Sequence, residues 1–454
     1  MKRIAGVVLL VVALAGCSPA GGGGVVEPSP TWRPQPTAPV PVGPRDWPTY
    51  HHDNARSGTA QDVAPLGQLS QAWAARLDEA VYGQPLVIGD KVIAATENDT
   101  VYALANTDGR VLWSQHLATP QPKSDLPCGN IDPLGITGTL AYDPATGLIF
   151  VVAELRGGTH MLTGLDLTTG AVTLSRPIEP PLGDRNSHQQ RAALTVLNGW
   201  VYVAYGGLYG DCGNYIGSVV AAPTTGLDPV RTFTVPTSRE GGIWAPGGAV
   251  VAAGRLFYSV GNGESTQGYD HSDSVLALTP QLTLADSFSP AQWADDNAHD
   301  RDLGSMGPAV VGGHVFADGK RGVGYVLDLN RLGGIGGQVS QQQVCAAYGG
   351  SAVSGSTVYV PCLDGTRAVD IDTAGHATVR WQTPVRAAGS PVVGGGVVWT
   401  VDISTGALFA LDPATGAVRN QISLGPVPHF TSPTLAGDTV YVGTTSGVIA
   451  IAGA

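Results

Sequence analysis

Short apolar runs recur along the whole chain and alternate with turns rich in glycine, aspartate, asparagine and threonine. Short runs with valine and tyrosine at their centres predict β-strands rather than helices. One turn pattern is repeated, in which an apolar strand ends in a corner of the form Asp-x-x-Thr-Gly. The clearest copies are residues 165–170 (LDLTTG) and 411–416 (LDPATG), with a related corner at residues 104–109 (LANTDG). The chain is therefore predicted to consist of strands joined by tight hairpins.

The chemistry of these corners explains their composition. Aspartate and threonine side chains form hydrogen bonds with nearby backbone groups, and glycine adopts the positive φ that closes the turn. We therefore interpret the corner aspartates as structural residues and not as catalytic ones.

The corners return at a regular interval. Asp328, Asp370 and Asp412 follow one another at a spacing of 42 residues. A period of about 40–50 residues with four short strands is typical of propeller blades. The pattern predicts an all-β, eight-bladed β-propeller of four-stranded antiparallel sheets. The predicted blades are residues 83–117, 135–178, 188–236, 241–290, 304–340, 345–384, 388–425 and 428–454.

The eighth predicted blade is one strand short. It stops at Ile451 and Ala452, whereas residues 69–77 (LSQAWAARL) have a strand pattern without a partner before the first blade. We expect this N-terminal strand to complete the last blade. Closing the ring in this way removes the exposed sheet edges that promote aggregation.

The composition agrees with this fold and excludes other classes. Of 454 residues, 63 are glycine and 33 are proline. Only 13% are charged, against a usual share of about 25%, which argues against helical bundles and coiled coils. The net charge is −12 and no window contains clustered lysine and arginine. Nucleic-acid binding is therefore excluded.

The start of the chain resembles an export signal. A basic beginning (MKR) precedes an apolar stretch that ends in LAGC at Cys17, and this stretch is too short to span a bilayer. It is similar to a bacterial lipobox, which implies cleavage of residues 1–16 and attachment of fatty acids such as palmitate to Cys17. An ordinary secretory signal with a chance cysteine is the alternative. Residues 17–45 are predicted to be a Gly/Pro-rich tether that holds a folded domain, residues 46–454, on the extracytoplasmic side of the cell membrane.

The remaining cysteines, an even number in a chain predicted to be exported, suggest disulfide bonds. Cys345 and Cys362 flank a predicted hairpin, and folding the chain there brings their sulfurs almost opposite each other. We therefore pair these two, and Cys128 with Cys212 by elimination. Free buried thiols are the alternative.

Two segments resemble a known family. Residues 46–58 (DWPTYHHDNARSG) are similar to the first motif of propellers built from pyrroloquinoline-quinone (PQQ) repeats, and residues 102–113 (YALANTDGRVLW) are similar to their repeat unit. The resemblance covers residues 46–454. The superfamily includes PQQ-dependent alcohol dehydrogenases and non-catalytic members such as the propeller lipoprotein of outer-membrane assembly. It therefore implies the fold but not the function.

The dehydrogenase branch implies a set of site residues. Trp244 occupies the place of a tryptophan that stacks on the quinone, and Asn262 resembles the asparagine that binds calcium. Asp300 matches the catalytic aspartate, which could also ligate calcium, and Lys320 resembles the cation that contacts the quinone. These groups are an aromatic face, an oxygen ligand, a base and a cation. The structural alternatives are a packed aromatic, a turn asparagine, a solvated acidic loop at residues 295–302 and a turn lysine.

One position argues against the enzyme. The dehydrogenases carry a calcium-binding glutamate where this chain has Cys212, and neither a thiol nor a disulfide supplies an oxygen to an ion that takes about 6–8 of them. Asp211 is expected to point the opposite way, because neighbouring side chains alternate in a strand. No haem attachment signature or hydrolase motif is present, and His51, His52 and His299 lack metal-ligand spacing.

These observations favour a membrane-anchored binding or scaffold module without turnover and without a cofactor. Its partner, a protein or a small molecule, is expected at the propeller faces, and the protein is expected to be a monomer. The alternative is an alcohol or sugar dehydrogenase that depends on PQQ and Ca²⁺.

Overall fold

A computed structural model describes residues 29–33, 37–386 and 388–453 of the chain. These residues form eight antiparallel sheets in sequence order, and apolar clusters fill the seams between neighbouring sheets. The predicted all-β, eight-bladed propeller is thus confirmed. The predicted signal peptide and the lipidation site at Cys17 lie outside the described residues. Within the described ranges, helix is limited to Trp293–Ala298 and three 3-10 turns at Lys123–Asp125, Arg185–Ser187 and Leu303–Ser305.

The four main strands of each blade run from the axis outward. The first strands of successive blades contact one another, which places them around the axis. Blade 1 comprises Leu86–Ile88, Lys91–Ala95, Thr100–Ala105 and Val111–His116, and blade 2 comprises Ala141–Asp143, Leu148–Leu155, Thr159–Asp166 and Val172–Pro177. Blade 3 comprises Thr195–Leu197, Trp200–Gly207, Ser218–Pro223 and Arg231–Thr234, and blade 4 comprises Val250–Ala252, Arg255–Val260, Ser274–Leu278 and Leu284–Ser289.

Blades 5 to 8 continue the same order. Blade 5 comprises Ala309–Val311, His314–Ala317, Val323–Asp328 and Ser340–Gln343, and blade 6 comprises Ala352–Ser354, Thr357–Cys362, Gly365–Ile371 and Ala377–Gln382. Blade 7 comprises Val392–Gly394, Val397–Asp402, Ala407–Leu411 and Val418–Ser423. Blade 8 comprises Thr434–Ala436, Thr439–Thr444, Gly447–Ala452 and, from the N-terminal part of the chain, Ser70–Arg76.

The second and third strands are nearly continuous apolar runs because both of their faces are covered. All eight residues of Leu148–Leu155 are buried. In the outer strands the two faces differ, and burial alternates, as in Val418–Ser423. This contrast follows from the period of two between side chains on one face of a strand.

The ring is closed by the predicted N-terminal strand. Ser70–Arg76 pairs antiparallel with Gly447–Ala452, with Trp73 opposite Ala450. The last blade therefore combines strands from both ends of the propeller domain, as the sequence predicted.

Three blades carry additional short strands that the sequence did not predict. Thr31–Trp32 pairs with the outer strand of blade 2, Val172–Pro177, and Trp32 packs against the apolar seam between blades 2 and 3. The described part of the predicted tether therefore lies against the propeller here. His188–Gln189 pairs with the second strand of blade 3, and Gly334–Ile335 runs parallel to the outer strand of blade 4.

The Asp-x-x-Thr-Gly corners have the predicted hydrogen bonds. One carboxylate oxygen of Asp412 accepts hydrogen bonds from the backbone N–H groups of Ala414 and Thr415, at 2.8 and 2.9 Å. Gly416 closes the corner with φ +72°. The corner aspartates act as turn residues, as expected.

Several corner glycines each pack against a tryptophan from the outer strand of a neighbouring blade. The Trp381 ring lies against Gly416 of the next blade, so that a Cβ on this glycine would be 2.6 Å from the ring. Its indole N–H donates to the carbonyl of Pro413, at 2.9 Å. Trp73 and Trp113 pack on Gly109 and Gly170 and donate to nearby carbonyls in the same way. The corner glycine is therefore required for blade-to-blade packing as well as for its φ.

The two ends of the axis differ. We define the back face as the end where the first strand of each blade turns into the second, and the front face as the opposite end. Residues 46–64, the crossing segment, cross the back face and form backbone hydrogen bonds with six of the eight blades. The backbone partners within the described chain are Val87, Tyr142, Val251, Val353, Val393 and Gly437.

Arg56 is the centre of the crossing segment. Its buried guanidinium donates to the carbonyls of Leu194 and Ala249, at 3.0 and 3.1 Å, which joins blades 3 and 4. His51, also buried, contacts the Ser351 carbonyl and the Ser432 hydroxyl through its two ring nitrogens. Both side chains are therefore part of the closure of the back face, and His51 has no ring nitrogen left for a metal ion.

Both predicted disulfide bonds are present. Cys128–Cys212 joins the loop between blades 1 and 2 to blade 3, and Cys345–Cys362 links the start of blade 6 to the end of its second strand. In the described part of the chain, no helix has the length and apolar character needed to traverse a lipid bilayer.

Candidate functional site

The structure places all four residues of the predicted quinone site on the front face. Trp244 precedes the first strand of blade 4, and Asn262 follows its second strand. Asp300 precedes blade 5, and Lys320 lies in the turn after the second strand of that blade. Since loops of this kind in adjacent blades meet at one end of the axis, the four residues share one region.

Asp302, which the sequence analysis did not single out, is the centre of this group. Its carboxylate is completely buried and accepts the backbone N–H of Asn262 at 2.7 Å. Its other oxygen lies 2.5 Å from the Lys320 ammonium nitrogen. Asp300 also contacts this ammonium, at 2.5 Å, but its side chain is 64% exposed. Of the two aspartates, only Asp302 is held by the fold.

The charges in this group compensate one another. Burial raises the pKa of Asp302, and the Lys320 ammonium opposes that rise. The pKa of Lys320 is raised because the attraction of Asp302 and Asp300 exceeds the opposing effect of burial. The three side chains therefore form a network in which the ammonium already has two carboxylate partners.

Trp244 is held in place by glycines. A Cβ on Gly242 would lie 2.0 Å from its ring and one on Gly261 would lie 2.5 Å from it. Gly206, at the end of the second strand of blade 3, approaches the same ring. These glycines allow the backbone of blades 3 and 4 to pack directly on the indole, which fixes its orientation beside Asn262.

The residues present do not complete a calcium site. Asn262 offers a buried side-chain oxygen without a hydrogen-bond partner, and Asp302 offers a carboxylate that Lys320 already contacts. Cys212 is in a disulfide and supplies no oxygen. Among the described residues, no three His, Cys, Asp or Glu side chains are grouped so that they could hold a metal ion. Asn262 and Asp302 together supply at most three side-chain oxygens, fewer than the about 6–8 that calcium takes.

The expected orientation of Asp211 is corrected by the structure. Asp211 lies in a loop with φ +49° and not in a strand, so the alternation of strand side chains does not apply to it. Its carboxylate accepts a hydrogen bond from the Tyr215 hydroxyl at 2.6 Å. Burial raises the pKa of Asp211, and the Tyr215 hydrogen bond and the Lys320 charge only partly oppose this rise. Asp211 is therefore held by Tyr215 in the loop that carries the Cys212 disulfide.

A cavity of about 350 Å³ lies on the axis next to this group. Its lining comes from the front-face loops of blades 1, 2, 3, 6, 7 and 8, so it lies where these blades converge. The wall is rich in aromatic and aliphatic side chains and includes one disulfide cysteine. The lining residues are Tyr82, Asn130, Ile131, Arg191, Tyr209, Tyr348, Pro361, Cys362, Leu363, Ala388, Ile403, His429 and Phe430. We call this space the axial cavity.

Arg191 is the cation of the axial cavity. The carbon of its guanidinium lies 4.2 Å from the centre of the Phe430 ring. In the described part of the chain, no hydrogen bond or ion pair holds this guanidinium. Burial lowers the pKa of Arg191 to about 10, which still leaves it charged at neutral pH. His429 beside it has a lowered pKa, because of burial and then of the Arg191 charge, and so adds no second cation.

A group of buried carboxyl groups lies behind Arg191. Glu154 accepts the backbone N–H of Gln190, the residue before Arg191, at 2.5 Å. Glu97 accepts the Gly135 N–H at 2.8 Å, whereas neither oxygen of Asp99 has a hydrogen-bond partner within the described chain. Burial raises the pKa of Glu97 to about 8, of Asp99 to about 9 and of Glu154 to about 7. At pH 7, Glu97 and Asp99 are therefore mainly protonated and provide little negative charge for Arg191.

A larger groove lies on the back face and has different chemistry. It measures about 550 Å³ and is lined partly by the crossing segment, with Tyr142 and Val196 on its far side. Its lining contains no arginine or lysine. Among the described residues, a partly buried cation without a charged partner is therefore a feature of the axial cavity and not of this groove.

Comparison with known proteins supports the fold and leaves the chemistry open. A curated relative, the "Polyvinylalcohol dehydrogenase" of Sphingopyxis sp. (strain 113P3), is 26% identical over an alignment that covers 92% of this chain and 76% of the relative. Similar solved structures include the quinohemoprotein alcohol dehydrogenase of Comamonas testosteroni (TM-score 0.69, 17% identity, 90% of this chain and 80% of that one). A europium-containing methanol dehydrogenase gives a TM-score of 0.68 at 16% identity, covering 90% of this chain and 98% of that chain.

A relative with a different kind of name matches with similar quality. BamB from Moraxella catarrhalis aligns with a TM-score of 0.61 at 14% identity, over 85% of this chain and 99% of that chain. A family model described as "Outer membrane protein assembly factor BamB" matches residues 69–264 and 292–453, which is most of the chain. Since this match covers seven of the blades in full and the first two strands of blade 4, the chain belongs to this family of PQQ-like repeat β-propellers.

Proposed function

We propose that this protein is a ligand-binding module whose site is the axial cavity, and that it works without turnover. The observation that carries the proposal is the cavity itself. It has the volume typical of small-molecule sites, which is about 300–1,000 Å³. Its wall combines apolar rings with one unpaired cation, Arg191, which is the usual combination of a broad apolar surface and a few orienting polar groups.

The chemistry next to the cavity favours binding over catalysis. Lys320 is occupied by Asp302 and Asp300, and the position expected for a calcium-binding glutamate holds a disulfide-bonded Cys212. Because the Lys320 ammonium is already paired with two carboxylates, it acts as a structural group unless a ligand displaces them. The fold brings the quinone-site residues together without completing the ion site.

A blocking variant tests the site. Ile403 is half-buried in the cavity wall, so Ile403→Trp should fill the cavity and abolish binding of aromatic fragments detected by ligand-observed NMR. The matched control is Ala145→Trp in the back-face groove, which should leave binding unchanged. Fragment binding that survives Ile403→Trp and disappears in Ala145→Trp would place the site on the other face and contradict the proposal.

The second candidate is a PQQ-dependent dehydrogenase. It is favoured by the convergence of Trp244, Asn262 and Lys320 around Asp302, and by the 26% identity with a polyvinylalcohol dehydrogenase. PQQ would supply the redox chemistry, and Trp244 would offer it an aromatic face. Purified protein should be mixed with PQQ and CaCl₂ and followed by dye reduction with alcohols, sugars and polyvinyl alcohol. Turnover that is lost in Asp302→Asn would replace the first candidate, whereas no turnover and no thermal shift with PQQ would exclude the second.

We further propose that the protein is anchored by lipid at Cys17 on the extracytoplasmic side of the membrane and is monomeric. The support is the LAGC sequence that follows a short apolar stretch. More than one acyl chain is needed for stable anchoring, which lipoprotein modification supplies. In cells, Cys17→Ala should move the protein from the membrane fraction to the soluble fraction and prevent labelling by a fatty-acid analogue. Unchanged fractionation of this variant would contradict lipid anchoring.

A further inference from the structure

We infer that the outer surface of blades 2 and 3 lies against the lipid bilayer. We call this surface the blade 2/3 rim, and it comprises the outer strand Val172–Pro177 and residues 223–230, the last turn of blade 3. Residues 29–33 and 37–43, which we call the strap, tie the chain to this rim. The inference rests on the proposed lipid anchoring at Cys17 and adds which side of the propeller the membrane contacts.

The first argument is that the strap is bound to the propeller at two places. Thr31–Trp32 adds a fifth strand to blade 2, and the Arg33 N–H donates to the Thr173 carbonyl at 2.7 Å. Farther along, the Tyr142 hydroxyl accepts the N–H of Val40 at 3.0 Å and donates to the carbonyl of the same residue at 2.5 Å. The chain therefore leaves the folded domain at the outer edge of blade 2 and not at the crossing segment.

The second argument is the length of the chain between the strap and the anchor. Ser29 follows Cys17 by 12 residues. A chain of this length spans at most about 40 Å when it is fully extended. The lipid at Cys17 therefore lies within about 40 Å of the outer edge of blade 2, whatever the conformation of the connecting residues.

An eight-bladed ring is too large for this reach to include its opposite side. Sheets packed about 10 Å apart place the first strands about 13 Å from the axis, and three strand spacings of about 4.8 Å place the outer strands about 27 Å from it. The path along the surface to the opposite side is therefore about 85 Å long. Without the strap, the 29 residues from Cys17 to Asp46 would span about 100 Å and reach that side. The strap thus keeps the anchor on the side of the ring that contains blade 2.

The third argument is the chemistry of the rim. Trp32 packs on the apolar seam between blades 2 and 3 and stays half-buried. The Arg176 guanidinium donates to the Asp228 carbonyl at 2.8 Å, which joins the outer strand of blade 2 to the last turn of blade 3. In this turn, Leu227 and Val230 are 41% and 36% exposed. Tryptophan is favoured at the level of lipid headgroups, and exposed aliphatic side chains gain from contact with the acyl boundary.

The distribution of charge favours the same side. The protein has a net charge of −12, so an anionic bilayer repels most of its surface. On the rim, Arg33 is exposed and has no carboxylate partner within the described ranges, and Arg176 donates to a backbone carbonyl. On the opposite side, the Arg380 guanidinium of blade 6 is paired with Asp370 at 2.5 Å. The rim therefore has arginine donors that can bind lipid phosphates, whereas the opposite side has its cation neutralised.

The inference is tested by measuring which side of the ring touches the bilayer. The full-length lipid-modified chain is reconstituted in vesicles of phosphatidylcholine and phosphatidylglycerol that contain lipids with a nitroxide on the headgroup. A fluorophore is attached to the thiol introduced by Thr225→Cys or by Thr415→Cys. These two exposed threonines occupy equivalent corners, before Gly226 and Gly416, in blades 3 and 7, which lie opposite each other in the ring. The nitroxide should quench the label of Thr225→Cys several times more strongly than that of Thr415→Cys.

Releasing the strap should remove this difference. Trp32→Gly/Tyr142→Phe deletes the apolar contact of the strap and both of its hydrogen bonds to Tyr142. In this variant the two labels should be quenched equally, while the protein stays bound to the vesicles. The matched control is Val418→Gly, which removes an exposed apolar side chain from the outer strand of blade 7 and should keep the difference. A difference that persists in the double variant would show that the strap does not orient the propeller and would overturn the inference.

The remaining outcomes separate the orientation from the anchoring. Equal quenching of the two labels in the unmodified background, or quenching of neither, would overturn the inference while the retained vesicle binding supports the lipid anchor. Release of the protein from the vesicles, with Cys17→Ala behaving like the unmodified chain, would overturn the proposed anchoring itself. Selective quenching of the Thr225→Cys label that depends on the strap supports both.

Discussion

Asp300 and Asp302 are two residues apart, and the fold gives them opposite environments. Asp302 is buried, accepts the Asn262 N–H and contacts Lys320, whereas Asp300 has φ +52° and a side chain that is 64% exposed. The left-handed backbone at Asp300 turns its side chain outward, so that the next carboxylate in the loop points inward. The two environments lead to different expectations for the two side chains.

Removing the Asp302 carboxylate should be much more costly than removing that of Asp300. Breaking a buried ion pair by deleting one partner typically costs about 3–5 kcal/mol, so Asp302→Ala should lower the free energy of unfolding by about this amount. Asp300→Ala removes an exposed ion pair, which is worth about 0–1 kcal/mol. Chemical denaturation of both variants checks the difference. Equal losses in the free energy of unfolding would contradict the different environments of the two carboxylates.

The buried acids of blades 1 and 2 predict how stability depends on pH. Burial raises the folded-state pKa of Glu97 to about 8 and of Asp99 to about 9, above their usual values of about 4 in an unfolded chain. The folded state therefore binds more protons, and stability falls as pH rises between about 4 and 9. The melting temperature should be higher at pH 5 than at pH 9.

A double variant isolates the contribution of these acids. Glu97→Gln/Asp99→Asn replaces the carboxyl groups with neutral groups of the same shape and should reduce the loss of stability between pH 5 and pH 9. An identical pH profile in the double variant and in the unmodified protein would show that other groups cause it.

Single strands are joined to the next blade by contacts between a tryptophan and a glycine. Trp73, Trp113 and Trp381 each come from an outer strand and pack on a corner glycine in an adjacent blade. Each of these corners and the outer strand of the preceding blade therefore form one packing unit across a seam. This explains why the corner ends in glycine even where its hairpin would tolerate an asparagine.

Two glycines with the same backbone conformation separate these effects. Gly416 and Gly226 both have φ +72°, but a Cβ on Gly416 would collide with Trp381, whereas one on Gly226 would meet nothing within 4 Å. Gly226→Ala should cost about 1–2 kcal/mol, the price of a left-handed backbone for an ordinary residue. Gly416→Ala should cost about 1–3 kcal/mol more because of overpacking. Equilibrium unfolding measures both variants, and equal costs would contradict a packing role for the contact.

How much the sequence predicted depends on the range of the interactions involved. The corners and the alternation within outer strands are local, and they predicted the strands, the blade number and the Cys345–Cys362 pair. The fifth blade ends later than predicted, at Gln343, because residues between its last two strands form a strand that joins blade 4. Contacts between distant segments, such as Thr31–Trp32 on blade 2, leave no local pattern.

The candidate site shows the same limit. Family order indicated Trp244, Asn262 and Lys320, and the structure brings them together. Asp302 and Arg191 were missed because their importance depends on burial and on missing partners, neither of which a sequence displays. The only sequence signal for Asp302 was its place in the acidic loop at residues 295–302.

In the whole molecule, one strand closes the ring of blades, and the crossing segment closes one end of the propeller axis. Ser70–Arg76 completes blade 8, and residues 46–64 cross the back face with Arg56 joining blades 3 and 4. The front face is left to loops, which line the axial cavity. The two closures thus determine which end of the axis can receive a ligand.

The ring closure can be tested by comparing two equivalent tryptophans. Trp73 lies in the closing strand, whereas Trp113 forms the same kind of contact between blades 1 and 2. Each replacement by alanine should cost about 3–5 kcal/mol. Only Trp73→Ala should accelerate hydrogen exchange in Ser70–Arg76 and Gly447–Ala452. Faster exchange of these strands in Trp113→Ala as well would show that the closing strand is not a separate unit.

Ligand binding in the axial cavity is tested most directly by a crystal structure of the full-length chain with 4-iodobenzoate, in which the iodine is located by its anomalous scattering. The carboxylate is expected within hydrogen-bond distance of the Arg191 guanidinium, and the iodine among the rings of Tyr82, Tyr348 and Phe430. An axial cavity without the compound, in crystals where the iodine signal lies in the back-face groove, would contradict the account.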